Sequence, residues 1–262
     1  MSGPGAVETT LRERRDSGGR GLVPYVTGGL GGDWTATVQA AAAAGADAIE
    51  IGIPFSDPVM DGPTIQEAND RALSTGATPS GILDRLRGLD VGVPLVVMTY
   101  YNIAFRAGLK RFAAALAGSG VSGCILPDLP LEEVGPWADA ADATGVETIL
   151  LAAPTTPDER LPLICERSRG FVYGVGLLGV TGVRDELASS ACTIADRLKA
   201  VTDRPVLVGV GVGTPEQAVE VSDHADGVVV GSAIVQRMLD GAGPEGVGAL
   251  VSEFREALDY AF

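Results

Sequence analysis

Eight short apolar runs alternate with Ala-rich helical stretches along this chain, and no other feature restricts its fold as tightly. The runs fall near Leu22–Thr27, Ala48–Gly52, Pro94–Thr99, Gly123–Leu126, Glu147–Leu151, Phe171–Val175, Pro205–Val210 and Gly227–Val230. Most are near-continuous blocks of Val, Ile and Leu, which is how a strand buried on both faces of a parallel sheet reads. Helical patterns occupy Asp33–Ala44, Thr64–Ser74, Phe105–Ala117, Leu131–Ala143, Asp158–Arg167, Cys192–Ala200, Pro215–Val221 and Glu245–Leu258, with extra turns at Pro79–Arg87 and Ala233–Leu239. Eight strand–helix units predict an α/β fold, a closed (β/α)8 TIM barrel with extra short helices. The 262 residues suit it, since such a barrel takes roughly 250. An open doubly wound sheet is the alternative, and the count of eight and the lack of an early Gly-x-Gly-x-x-Gly turn weigh against it. No linker-like shift in composition divides the chain, so one domain over 1–262 is expected.

Charge narrows the partners. With 19 Lys and Arg against 34 Asp and Glu the net charge is −15, which repels nucleic acid and anionic membrane. No apolar run reaches the length of a membrane span, and the N-terminus is polar, with Arg12, Arg14 and Arg15 in place of an apolar signal core. The three cysteines, Cys124, Cys165 and Cys192, are widely spaced and odd in number, which reads as reduced thiols in a cytoplasmic protein. His224, the one histidine, has neither His nor Cys partners nearby in sequence and reads as a solvated loop residue. The expectation is a cytoplasmic enzyme that uses no metal.

Two carboxylates stand out. Glu50 interrupts the apolar run Ala48, Ile49, Ile51, Ile53, where burial raises a carboxyl pKa toward the range useful for proton transfer. A buried Glu tied to an Arg or to backbone amides is the structural alternative. Asp61 follows in the loop Pro54 to Pro63, which is long for a strand-to-helix connection, and long loops on this face of a barrel usually carry function. An Asx-turn or a cap for the helix beginning near Thr64 is its structural alternative, and Asp57, before Pro58, has the same one.

Glycines form a third signal. Val208-Gly209-Val210-Gly211-Val212-Gly213 ends the seventh run and Val230-Gly231-Ser232-Ala233 ends the eighth. In a barrel these positions let backbone N–H groups approach a phosphate at the start of a short extra helix, although tight turns without a ligand have the same composition. Gly176 to Arg184, with Gly179, Thr181 and Gly182, suits a lid or an ordinary loop. Tyr173, Tyr100, Tyr101, Asn102 and Asp128 fall on the same face, and composition alone assigns them no chemistry.

These residues, taken together, resemble the alpha subunit of tryptophan synthase over nearly the whole chain. The matching stretches are Pro24 to Thr27, Gly45 to Gln66, Met98 to Asn102, Pro127 to Pro130, Arg169 to Tyr173, Gly179 to Gly182 and Gly231 to Val235. The resemblance implies cofactor-free retro-aldol cleavage of indole-3-glycerol phosphate to indole and glyceraldehyde 3-phosphate. It implies that Glu50 protonates the indole ring at C3 and helps remove the side-chain hydroxyl proton, and that Asp61 holds the indole N–H. It implies Tyr173 and the lid residue Thr181 at the substrate, a phosphate site of Gly182, Gly211, Gly231 and Ser232, and an indole pocket lined by Tyr25, Ile65 and Met98. It also implies a pyridoxal-phosphate beta subunit as partner in an alpha-beta-beta-alpha complex. The chain departs from the family pattern at Gly28 to Gly32, at Met60 and at Gly176 to Leu178. A stand-alone lyase releasing free indole, a non-catalytic activator of a beta subunit and another phosphate-binding barrel, such as an isomerase or epimerase of a sugar phosphate, are the competing functions, and the full Asp61 loop weighs against the last.

Overall fold

The eight apolar runs become eight parallel strands of one closed barrel. A computed structural model describes residues 3–176, 184–209 and 212–261, with the backbone alone over 184–189. In chain order the elements are α1 (Ala6–Asp16), β1 (Gly21–Thr27), α2 (Trp34–Ala43), β2 (Ile49–Gly52), α3 (Pro63–Ser74), α4 (Pro79–Leu86), β3 (Leu95–Met98), α5 (Tyr101–Ala107), α6 (Leu109–Gly118) and β4 (Val121–Ile125). There follow α7 (Gly135–Asp142), β5 (Glu147–Ala152), α8 (Leu161–Arg167), β6 (Val172–Gly174), α9 (Arg184–Lys199), β7 (Val206–Val208), α10 (Pro215–Ser222), β8 (Gly227–Val230), α11 (Ser232–Leu239) and α12 (Gly243–Ala261). Each strand pairs with its sequence neighbours, and β8 closes on β1 through Gly21↔Gly227 to Pro24↔Val230.

Alternation along the strands sorts side chains into two cores. Val23, Ala48, Val96, Ile125, Ile149, Phe171, Tyr173, Leu207 and Val229 fill the barrel interior as one buried cluster. Their neighbours Leu22, Ile49, Ile51, Val97, Cys124, Val206 and Val228 face outward and pack with the helices in a second, larger cluster. The interior is therefore a packed stack, and only its upper end at the strand C-termini is free to hold a ligand.

The strand expectations hold for all eight runs, and several helix expectations need correction. Phe105–Ala117 is two helices, α5 and α6, because Gly108 between them takes φ +84°, a left-handed geometry that ends α5. The helix expected from Leu131 starts at Gly135, after a run of turns that begins at Pro127. The segment Asp158–Arg167 opens with a 3₁₀ turn over Asp158–Arg160 before α8. The helix expected from Cys192 extends back to Arg184.

The polar N-terminus hides the largest omission. Residues Ala6–Asp16 form α1, whose Val7 and Leu11 enter the interior cluster and close the barrel floor. Its N-cap, Gly5, has no capping side chain of its own. Instead the Glu147 carboxylate, from β5, accepts the Val7 N–H at 2.7 Å and the Glu8 N–H at 3.0 Å. A Cβ on Gly5 would lie 2.4 Å from Glu147 Cδ, so only glycine leaves room for that cap. Glu8 in turn pairs with Arg12 at 2.9 Å and with Arg204. Two apolar residues a turn apart among many charges carry little periodic signal, which is why the sequence does not reveal α1.

Leu11 is 2% exposed and packed on the floor. Leu11→Ala is expected to lower stability by about 2–5 kcal/mol, as truncation of a buried leucine does. Urea unfolding should show a lower midpoint with an unchanged m-value.

Candidate active site

Strand β2 sets the first carboxylate. Ala48 lies in the interior cluster, so Glu50, two residues on, also faces inward, one layer higher. Its register partners are Tyr25 on β1 and Val96 on β3. Glu50 is 1% exposed, and its Oε2 has no hydrogen-bond partner. Among the described residues no arginine or backbone amide neutralises it, so the structural alternative for a buried Glu finds no support there. Burial, and then the charge of Asp61, push its pKa up to about 8.

The second carboxylate arrives on the loop between β2 and α3. Gly62 is the N-cap of α3 and Pro63 opens it, so Asp61 does not cap the helix. Its side chain turns inward, where Asn69 Nδ2 donates to Oδ2 at 3.4 Å and the Tyr100 hydroxyl faces it. Burial raises the Asp61 pKa to about 6, against the lowering effect of those two partners. The same loop is pinned from β3. Phe55 stacks on Tyr100 at 5.0 Å, and the Tyr100 hydroxyl accepts the Met60 N–H at 2.8 Å. Gln66 Nε2 ties back to the Asp61 carbonyl at 2.8 Å. Asp57, by contrast, points to solvent and accepts from the Ser56 hydroxyl at 2.6 Å.

An apolar slot adjoins the carboxylates. Tyr25 and Ile65 belong to one buried cluster with Ala68 and Val235, and Met98 packs against it, so the three expected pocket residues do come together. Leu30 joins them from the departing loop Gly28 to Gly32. That loop fits because Gly28 N–H bonds the Gly52 carbonyl at 2.8 Å and Gly29, at φ +81°, lies where a Cβ would sit 2.7 Å from that of Ala77. Tyr173 rises from β6 on the far side of the barrel and donates to the Gly209 carbonyl at 3.2 Å. Burial and the charges of Glu50 and Asp61 raise the pKa of both phenols well above the usual tyrosine range.

The two glycine clusters behave differently. At the start of α10 a capping box is complete: Gln217 Oε1 accepts from Gly213 and Thr214 N–H, and Thr214 Oγ1 accepts from Gln217 N–H. Those groups are satisfied internally. At the start of α11, Gly231 is an N-cap with no side-chain bond and Ser232 is exposed, which leaves amides that an anion can use. Gly211, Thr181 and Gly182 lie outside the described residues.

Four residues of this site have no role assigned from sequence. Tyr100 and Asn69 bracket Asp61, and Gly52 and Gly209 leave room for the hydroxyls of Tyr25 and Tyr173, where a Cβ would approach within 1.7 Å and 2.3 Å. Tyr100 was visible on the catalytic face, but its direction across to the β2 loop is set by tertiary packing. His224 pairs with Asp196 at 2.9 Å on the outside, away from the mouth. Among the described residues no group of His, Cys, Asp and Glu could hold a metal ion, and no helix is long and apolar enough to cross a membrane.

Comparison with known proteins bears on the family and the fold. The family model for the tryptophan synthase alpha chain matches residues 11–256. The chain is 46% identical over 236 residues to the tryptophan synthase alpha chain of Thermobifida fusca, covering 88% of this chain and 87% of the relative. It is 44% identical over 263 residues to that of a Picosynechococcus species, covering 98% of each. Among solved structures, Mycobacterium tuberculosis tryptophan synthase superposes with a TM-score of 0.89 at 36% identity, over 98% of this chain and 99% of that one. The Legionella pneumophila tryptophan synthase alpha chain does so with 0.87 at 32% identity, over 98% of each chain.

The raised Glu50 pKa has a cost in stability that depends on pH. Its carboxyl holds a proton more tightly folded than unfolded, so folding is unpenalised below the ordinary glutamate value of 4.5 and loses stability as pH climbs to about 8. Above that the loss is constant, on the order of a few kcal/mol. Glu50→Gln should therefore melt higher than the parent protein at pH 9 and nearly level with it at pH 4, as measured by calorimetry in matched buffers.

Proposed function

Because this chain belongs to the tryptophan synthase alpha chain family, we propose that its barrel mouth cleaves indole-3-glycerol phosphate to indole and glyceraldehyde 3-phosphate. The chain is an alpha subunit acting in tryptophan biosynthesis, a carbon–carbon lyase with a beta-subunit partner. The observation that carries the residue assignment is the unequal pair of buried carboxylates. Near neutral pH Glu50, at about 8, keeps its proton, while Asp61, at about 6, has lost its own. One mouth thus offers a proton donor and an anion side by side, the two things that a retro-aldol cleavage of an indole side chain requires.

In this reading the indole ring enters the slot of Tyr25, Ile65 and Met98, with Tyr173 across from it. Asp61 accepts a hydrogen bond from the indole N–H and stabilises the positive charge that grows on the ring. Glu50 gives its proton to C3, then takes the proton of the side-chain hydroxyl as that oxygen becomes the aldehyde and the carbon–carbon bond breaks. The proton count closes, and no metal or organic cofactor takes part. The phosphate sits at the start of α11 on the amides of Gly231 and Ser232, and the family resemblance adds Gly182, Gly211 and Thr181 to the substrate contacts. The helix N-terminus supplies local positive potential that the chain's overall charge of −15 does not.

The partner contact is proposed on the same face. Val59 is 82% exposed, Phe105 62% and Met60 37%, apolar side chains in the β2–α3 loop and α5. Met60 hangs on Tyr100, and Phe105 packs on the adjacent Tyr101 ring at 5.9 Å. A beta subunit in an alpha-beta-beta-alpha complex covers this rim, and such a contact bears directly on the loop that holds Asp61. We place the complex in the cytoplasm, and the barrel is one domain over 1–262.

Indole release from indole-3-glycerol phosphate, measured with and without beta subunit, tests the assignment. Low activity that rises strongly with partner is expected; high activity alone would mark a stand-alone lyase. Glu50→Gln should lower kcat by about 10² or more while substrate still binds, and normal turnover in that variant would sink the mechanism. Asp61→Asn should cripple turnover too. The pH profile of kcat/KM should be bell-shaped, falling below about 6 as Asp61 gains a proton and above about 8 as Glu50 loses one.

A further inference from the structure

Three phenols surround the carboxylate pair, and two of them are engaged. The Tyr100 hydroxyl accepts the Met60 N–H and faces Asp61, and the Tyr173 hydroxyl donates to the Gly209 carbonyl. Tyr25 is held differently, by a notch in the neighbouring strand. Tyr25 and Glu50 are register partners on β1 and β2. Gly52 follows Glu50 by two residues and presents the same inward face. A Cβ there would lie 1.7 Å from the Tyr25 phenol oxygen and 2.3 Å from the ring carbon that bears it. The missing side chain thus admits the oxygen of Tyr25 first of all. Thr27, further along β1, sets its own hydroxyl beside that oxygen.

Among the described residues, one oxygen of Glu50 finds no partner. Its Oε2 is buried and unbonded, which a neutral carboxyl tolerates far better than a carboxylate. Yet each turnover makes it a carboxylate, at the moment when its proton has gone to the ring. Resting on the proton-transfer reading above, we propose that Tyr25 is a positioning residue for Glu50, its O–H donating a hydrogen bond to the carboxylate while that proton is away. The phenol keeps its own proton throughout. When Glu50 recovers a proton from the substrate hydroxyl, the bond relaxes and the cycle closes with Tyr25 unchanged. Among the described residues, the titratable groups facing the Tyr25 oxygen are Asp61 from the loop after β2, Glu50 from β2, Tyr100 after β3 and Tyr173 from β6. With burial, these neighbours keep the phenol protonated, a donor and never a base.

Tyr25→Phe separates the hydroxyl from the ring. If the ring only lines the indole slot, phenylalanine serves as well. The proposal expects kcat to fall about tenfold, the effect of losing one hydrogen bond to a charged group. KM should stay within about twofold, because the apolar surface remains. The alkaline limb of the kcat profile should move to higher pH, since the Glu50 carboxylate has lost a donor. An unchanged kcat and an unmoved limb overturn the proposal, and so does a change confined to KM. Should Tyr25→Phe fail to fold, 3-fluorotyrosine at position 25, a stronger donor, is expected to move the alkaline limb to lower pH, and no movement overturns the idea. Glu50→Gln run alongside distinguishes the two levels: an active Glu50→Gln removes the proton-transfer reading itself, whereas an inactive one with a normal Tyr25→Phe removes only the role of Tyr25.

Discussion

A carboxyl group enclosed by a parallel barrel has no water to ionise into, and the arrangement of this mouth follows from that. Glu50 stands where strand alternation demands an inward side chain and where every neighbouring strand supplies apolar walls or phenols. Desolvation keeps it protonated, which makes it an acid at a pH where free glutamate is a base. Asp61 sits half-buried, with Asn69 and Tyr100 to hold its charge, so it ionises near pH 6 while Glu50 keeps its proton up to about 8. Proximity couples the pair, because each charge makes the other harder to form. Two identical functional groups acquire opposite resting states from their surroundings alone.

Overall charge works against the substrate that this reading assigns. A chain at −15 repels phosphate at long range, so recognition has to be made locally and at short distance. The two helix starts near the mouth divide that task unevenly. The first amides of α10 are consumed by Thr214 and Gln217, whereas those of α11 have no side-chain competitor. The same local-over-global logic governs the carboxylates, whose ionisation is set by neighbours a few ångströms away.

Much of this was legible in the sequence, and the boundary of legibility is physical. The strands could be read because burial on both faces writes itself as continuous Val, Ile and Leu. Glu50 and Asp61 could be read because one violates an apolar run and the other sits in an overlong loop. What could not be read is anything decided between distant segments. Tyr100 shows no special pattern until β3 is laid beside β2 and its hydroxyl meets the Met60 amide. Gly52 and Gly209 look like ordinary strand-end glycines until the tyrosines opposite them are placed. The break at Gly108 needed a backbone torsion, and α1 needed a floor to plug.

That plug also bears on how the barrel assembles. Helix α1, made before every strand of the barrel, is capped by Glu147, 140 residues downstream, and paired with Arg204, 196 residues downstream. Neither group exists in the growing chain when α1 emerges, and a short isolated helix is marginal in water. Lasting structure in α1 therefore awaits β5 and the start of β7, so the floor closes late, after most strands have paired. Until then Val7 and Leu11 remain exposed, and the open lower end of the half-built barrel is where a nascent chain of this kind is most prone to meet the wrong neighbour.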